Sequence, residues 1–155
     1  MDKIPDNIHH FIAPATTTRN VNSLKRISEL VGRHKIYAIS EQAFGREKPR
    51  KDDRVCFYAV SVGVVADAVI ARIPEYRIDA RIGNPKYPMV FPLTNVRMYL
   101  EDPFILNEKG RASLEEFKAR TKDLSWAWFV RVFHRVSAHD FLVMTKQADR
   151  ISRTS

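Results

Sequence analysis

Apolar positions along the chain follow two different periods, and the switches between them predict the elements. Val21, Leu24, Ile27, Leu30 and Val31 recur at helical spacing, with Lys25, Arg26 and Glu29 between them; this is the pattern of one buried helix face. Asn20 or Asn22 is placed to cap that helix, and Gly32 stands where a left-handed helix end favours glycine. HHFIAPA, residues 9 to 15, predicts a short strand before it, ended by Pro14. KIYAIS, residues 35 to 40, predicts a second strand after it.

The densest apolar run lies between Val55 and Ala66, interrupted only by Ser61 and closed by Asp67. A bilayer span needs about 20 apolar residues, so this run is too short for a membrane. Val55, Phe57, Val60, Val62, Val64, Val65, Val69 and Ile70 are β-branched or aromatic. Such side chains lose rotamer freedom in a helix and pack well on a pleated surface, which predicts two paired strands. The break is expected near Ala59 to Ser61, with a bulge or a close backbone approach at Gly63. RKDD, residues 50 to 53, reads as an exposed turn feeding the first strand, and Cys56 as a small core residue.

Downstream, residues 73 to 88 are punctuated by proline and read as a loop. Val90 to Leu100 reads as a strand, with Pro92 marking an edge or a bulge. Ser113 and Glu116 have capping-box spacing, predicting a short helix to about Thr121. WAWFVRVFHRV, residues 126 to 136, reads as a strand that would place Trp126 and Trp128 on one face. Ser137 and Asp140 repeat the capping-box spacing, with Val136 and Phe141 set as a hydrophobic staple for a last helix through Met144 and Ala148. Consecutive strands without regular βαβ alternation predict an α+β fold with a strongly curved sheet or small β-barrel flanked by helices. One domain is expected over residues 1 to 155, with a core from about 9 to 145 and a frayed basic C-terminal tail.

Charge sharpens the picture. The 155 residues carry 26 Lys and Arg against 18 Asp and Glu, a net of +8. The segment from Arg19 to Lys51 alone holds nine of those cations against three glutamates. Concentrated positive charge is the footprint of phosphate contact; the plainer reading is a solvated helix face beside a basic turn. Tyr37, Tyr76, Tyr87, Tyr99, Trp126 and Trp128 supply rings on which an unpaired base can stack. The single cysteine rules out an internal disulfide and fits a reducing, cytoplasmic location, and MDKIPDNIHH lacks the apolar core of a signal peptide.

Recognisable catalytic patterns are missing. His9, His10, His34, His134 and His139 form no HxxxH or HExxH pair, one cysteine cannot build a zinc finger, and no Walker or GxGxxG loop occurs. A binding protein without cofactor or metal is therefore expected. Two alternatives remain: a nuclease using Arg131, His134 and His139, or a protein-interaction domain presenting Phe91, Met98 and Tyr99 on an exposed edge. Oligomeric state does not follow from the sequence.

Several of these segments together resemble the EVE domain, a member of the PUA-like superfamily that also includes YTH and ASCH domains. HHFIAPATTTRNVNSLKRI is similar to the opening strand and helix, and KIYAIS to the second strand. KPRKDDRVCFYAVSVGVVADAVI is similar to the family's K-P-G-D hairpin, KYPMVFPL to its Y/F-P strand, and LSWAWFVRVFHRVSAHDF to its closing strand and helix. The resemblance covers most of residues 9 to 145. It implies a non-enzymatic pocket for a modified nucleobase in single-stranded or flipped nucleic acid, with an ASCH-like ribonuclease as the alternative. Carried over by position, Tyr37 matches the cage aromatic, Ala38 and Ile39 present backbone to the base edge, and Arg19, Asn20 and Asn22 border the pocket. Tyr87 matches the aromatic before proline and Ser125 a polar position before the closing strand. Lys25, Arg26, Arg46, Lys48, Arg50 and Lys51 are the expected phosphate ligands. The chain departs from the pattern in three places: RKDD lacks the usual glycine, Tyr37 replaces a tryptophan, and Gly83 stands near a second cage tryptophan of YTH proteins.

Overall fold

A computed structural model describes residues 8–15, 22–118 and 127–145. In chain order these form β1 (His10–Ala15), α1 (Ser23–Ile27) continued by a π-helical turn (Ser28–Arg33), β2 (Ile36–Ile39), α2 (Glu41–Glu47), β3 (Arg54–Ala59), β4 (Gly63–Ile70) and β5 (Glu75–Tyr76). β6 (Met89–Met98), α3 (Glu108–Ala112), α4 (Glu115–Lys118), a 3-10 turn (Ala127–Val130), β7 (His134–Val136) and α5 (Ala138–Thr145) follow. The strands make one strongly curled mixed sheet in the order β2-β6-β4-β3-β1-β7, with β5 also paired to β6. β1 runs parallel to β3 and the other pairs are antiparallel. This is the expected α+β, PUA-like architecture.

Both faces of the sheet are covered, which explains the unbroken apolar run. Along β1 and β3, Phe11, Ala13, Val55 and Phe57 point into the curl, where they meet Ile27, Leu30 and Val31 from the first helix. Their neighbours Ile12, Cys56 and Tyr58 point outward and are covered by Phe129, Phe141 and Met144. A strand buried on both sides loses the apolar–polar alternation that marks a half-solvated strand.

The hairpin forms where the sequence places it. The Val62 amide donates to the Ala59 carbonyl at 3.0 Å. Gly63 has a φ of +136°, and a Cβ there would lie 2.4 Å from the Phe104 carbonyl oxygen. In the RKDD turn, Asp52 adopts the left-handed conformation in place of glycine, which aspartate tolerates better than most side chains. The buried Asp53 carboxylate ties the turn down, accepting from the Arg50 amide at 2.9 Å and the His9 amide at 3.0 Å.

One element was not expected and three expectations need correction. Helix α2 was not legible as a helix; Ser40 caps it, accepting from the Ala43 amide at 3.1 Å. The strand expected over residues 126 to 136 is confined to β7. Phe129 belongs to the outer core and Phe133 to the inner one, whereas residues four apart in a strand share a face. Ser113 does not cap α4, because its hydroxyl donates to the Gly110 carbonyl at 2.6 Å; Asp140 caps α4 from α5, accepting from the Glu115 and Glu116 amides at 2.8 and 3.1 Å. Finally, Phe91 and Tyr99 are buried, not on an exposed edge. The Tyr99 hydroxyl donates to Asp67 at 2.9 Å, beside the Arg97 guanidinium that grips the same carboxylate. No helix among the described residues is long and apolar enough to cross a membrane.

Candidate functional site

One end of the curl opens into a cavity of about 580 Å³, within the range of small-ligand sites. Its floor is the edge of the sheet. β2 is the terminal strand and pairs only with β6. In an antiparallel strand with one neighbour, alternate residues direct their N–H and C=O groups away from it. Tyr37, Ala38 and Ile39 all line the cavity, followed by Ser40, Glu41 and Gln42 at the start of α2. Pro14 and Leu30 form a second wall, residues 85 to 88 a third, and Arg131, Val132 and Phe133 a fourth.

Tyr37 occupies the floor, but not as an open stacking platform. It is 8 % exposed, its ring sits edge-on to Phe57 and Phe91 with centroids 5.0 and 6.3 Å away, and its hydroxyl donates to the Pro14 carbonyl at 2.9 Å. Burial pushes the phenol pKa well up, so it remains a neutral donor. The expectation that a base lies flat on this ring is corrected by that packing. Tyr87, half-buried in the opposite wall, is the more accessible aromatic.

The expected cations divide sharply. Arg26 and Arg46 line the cavity as struts. Arg26 donates to the Ile82 carbonyl at 2.7 Å, pinning the 77–88 loop against the first helix. Arg46 donates to the Phe133 carbonyl at 2.9 Å and to Glu47 at 2.7 Å. Lys25, Lys48, Arg50 and Lys51 are exposed and do not line the cavity, and neither does Asn22, which caps α1 by accepting from the Lys25 amide at 2.8 Å. Arg19, Asn20 and Ser125 lie outside the described residues.

Two lining cations are not among the expected phosphate ligands: Lys86 and Arg131. Both are exposed, and among the described residues neither charged end has an acidic partner. By contrast, Arg77 and Arg81 of the Lys86 loop are held by Asp79, whose carboxyl the Arg81 hydrogen bonds pull well below the usual range. Arg131 had been singled out only as a nuclease candidate, and nothing in the spacing of Lys86 or Arg131 marks either as a pocket residue.

The histidines proposed for catalysis do not converge. His134 directs Nε2 to the Phe129 carbonyl at 2.9 Å and Nδ1 to the Arg135 carbonyl at 3.1 Å. His139 faces Asp140 at 3.1 Å and Glu115 at 3.5 Å. Neither lines the cavity. Glu115, His139 and Asp140 bring three ligand atoms within 4.8 Å of one another, but the Asp140 carboxylate is already committed to the α4 amides.

No protein-family model and no curated protein matches this sequence. Solved structures do match in shape. The chain is similar to the Mmi1 YTH domain, solved alone (TM-score 0.60, 6% identity, 95% of this chain and 99% of that one) and in complex with RNA (0.56, 7%, 94% and 79%). It is also similar to the Pho92 YTH domain in complex with m6A (0.56, 14%, 95% and 87%) and to a hypothetical protein from Leishmania major (0.55, 14%, 95% and 98%). Identities this low establish the fold alone, and that fold is YTH-like.

Proposed function

We propose that this chain is a non-catalytic module of the EVE and YTH kind that binds one nucleobase, modified or unpaired, of a nucleic-acid strand. The observation that carries the reading is the cavity set against a free sheet edge. Outward backbone groups of β2 supply fixed donors and acceptors for the edge of a flat ring. Apolar walls from Pro14, Leu30, Pro88 and Phe133 exclude water, and Tyr87 offers a ring face. Lys86 and Arg131 hold the adjoining phosphates. The RNA and m6A held by the two YTH neighbours support the same ligand class. A base already modified or unpaired suits such a site because extruding it from a duplex costs a few kcal/mol.

The test is binding of single-stranded oligonucleotides, each carrying one modified nucleoside, followed by fluorescence anisotropy across a salt series. For single strands the slope of log K against log salt is about −0.7 per phosphate contact. Replacing both Lys86 and Arg131 by alanine is expected to weaken binding and flatten the slope by about 1.4. An unchanged slope in the double variant removes these residues from the interface. A parent protein that binds none of the panel removes the function.

A further inference from the structure

We infer that Glu41 reads an exocyclic amine on the bound base, so that the cavity prefers amine-bearing bases to their keto counterparts. The inference rests on the base-binding reading above and adds the feature of the base that the site selects. Glu41 follows directly on the β2 edge and opens α2, where the Ser40 cap fixes the local backbone. It is the one carboxylate among the described residues that line the cavity.

Glu41 is exposed at the cavity and shares it with four cations. Arg26, Arg46, Lys86 and Arg131 line the same space, yet among the described residues no hydrogen bond or ion pair engages the Glu41 carboxylate. Arg26 and Arg46 have turned to backbone carbonyls instead. An ionised carboxylate only accepts hydrogen bonds. Beside a base edge it therefore favours an N–H and repels a carbonyl oxygen, the same logic by which glutamate accepts from the cytosine amine in a groove. Cytosine, adenine and derivatives that keep one amine hydrogen satisfy it; uracil, thymine and hypoxanthine present oxygen at that position.

A purely structural role is separable. An acidic residue in the first turn also complements the helix N-terminus, and losing that contribution lowers stability without changing which base is preferred. The experiment uses three matched single-stranded pairs differing at one central base: cytosine against uracil, 5-methylcytosine against thymine, and adenine against hypoxanthine. Affinities are read by anisotropy for the parent and for Glu41→Gln, with thermal melts of both proteins alongside. The parent is expected to favour the amine member of whichever pair it binds by about 10-fold or more. Glu41→Gln, able to donate as well as accept, reduces that ratio to within about 3-fold. Binding by the parent without amine preference, or a preference that survives Glu41→Gln, overturns the inference and leaves the base-binding reading standing. No binding by the parent to any member overturns the base-binding reading and the inference with it.

Discussion

Tyr37 offers the sharpest check on how the cavity is built, because two substitutions separate its ring from its hydroxyl. Tyr37→Phe keeps the ring between Phe57 and Phe91 and deletes only the donor to Pro14. A buried hydrogen bond contributes about 0.5–1.5 kcal/mol net, and leaving the Pro14 carbonyl without its donor puts the expected loss near 1 kcal/mol. Tyr37→Ala removes the ring itself, and deleting a fully packed aromatic costs about 3–5 kcal/mol. Against a total stability of about 5–15 kcal/mol, the alanine variant is close to unfolding. Urea denaturation followed by tryptophan fluorescence reads both. With a slope of about 2 kcal/mol/M, the midpoint falls by about 0.5 M for Tyr37→Phe and by about 2 M for Tyr37→Ala. The slope itself should stay constant for the phenylalanine variant, because the same surface is exposed on unfolding. Oligonucleotide affinity of Tyr37→Phe should remain within about 2-fold of the parent, since the hydroxyl is engaged inside the wall. A Tyr37→Phe variant with unchanged midpoint and a 10-fold loss of binding would refute this account: the hydroxyl would then face the ligand.

Two further outcomes test the frame around the cavity. His10 is buried with its Nε2 lacking a partner, and burial, together with nearby Arg54, lowers its pKa from 6.5 to about 4. The unfolded chain therefore takes up this proton first as pH falls: stability is full above about pH 6.5 and declines between 6.5 and 4, by a total on the order of 3 kcal/mol. His10→Leu should flatten that part of a stability-against-pH curve, and an unaltered slope would show that other groups govern it. Gly63→Ala places a methyl against the Phe104 carbonyl at a φ of +136°, where an L side chain is strained by about 1–3 kcal/mol even before the clash. A melting point lowered by at least about 5 °C is expected; an unchanged one means that the Phe104 segment moves aside at no cost.

The first helix, the hairpin break and the close approach at Gly63 were legible because each rests on local chemistry. Periodicity marks Ile27, Leu30 and Val31 as one face, and β-branched side chains mark Val55 to Ile70 as strands. What failed were readings that needed tertiary knowledge. The alternation through Trp126 to Val136 suggests one strand, but Phe129 and Phe133 serve opposite cores. The Ser113–Glu116 spacing suggests a capping box, but Asp140, distant in sequence, reaches the α4 amides first. Helix α2 is only seven residues long, too short for a periodic signal.

The site was legible in its floor and illegible in its charges, for one reason. A strand such as KIYAIS announces itself by composition, and once it lies at a sheet edge its backbone is presented to the cavity whatever its side chains are. A cation shows only its sign in the sequence, not which group consumes it. Arg26 and Arg46, the expected cations that line the cavity, each spend a donor of the guanidinium fork on a wall carbonyl, Ile82 and Phe133. Their role becomes architectural: they clamp the 77–88 loop and the 131–133 turn into walls. Those two walls then carry Lys86 and Arg131, the lining cations whose charged ends have no hydrogen bond or ion pair among the described residues. On the proposed reading, Arg26 and Arg46 act on a phosphate at one remove, by positioning charges that lie far from them in sequence. On this argument neutralising Arg26 or Arg46 loosens a wall, whereas neutralising Lys86 or Arg131 removes a contact, and only the second kind of change flattens the salt dependence.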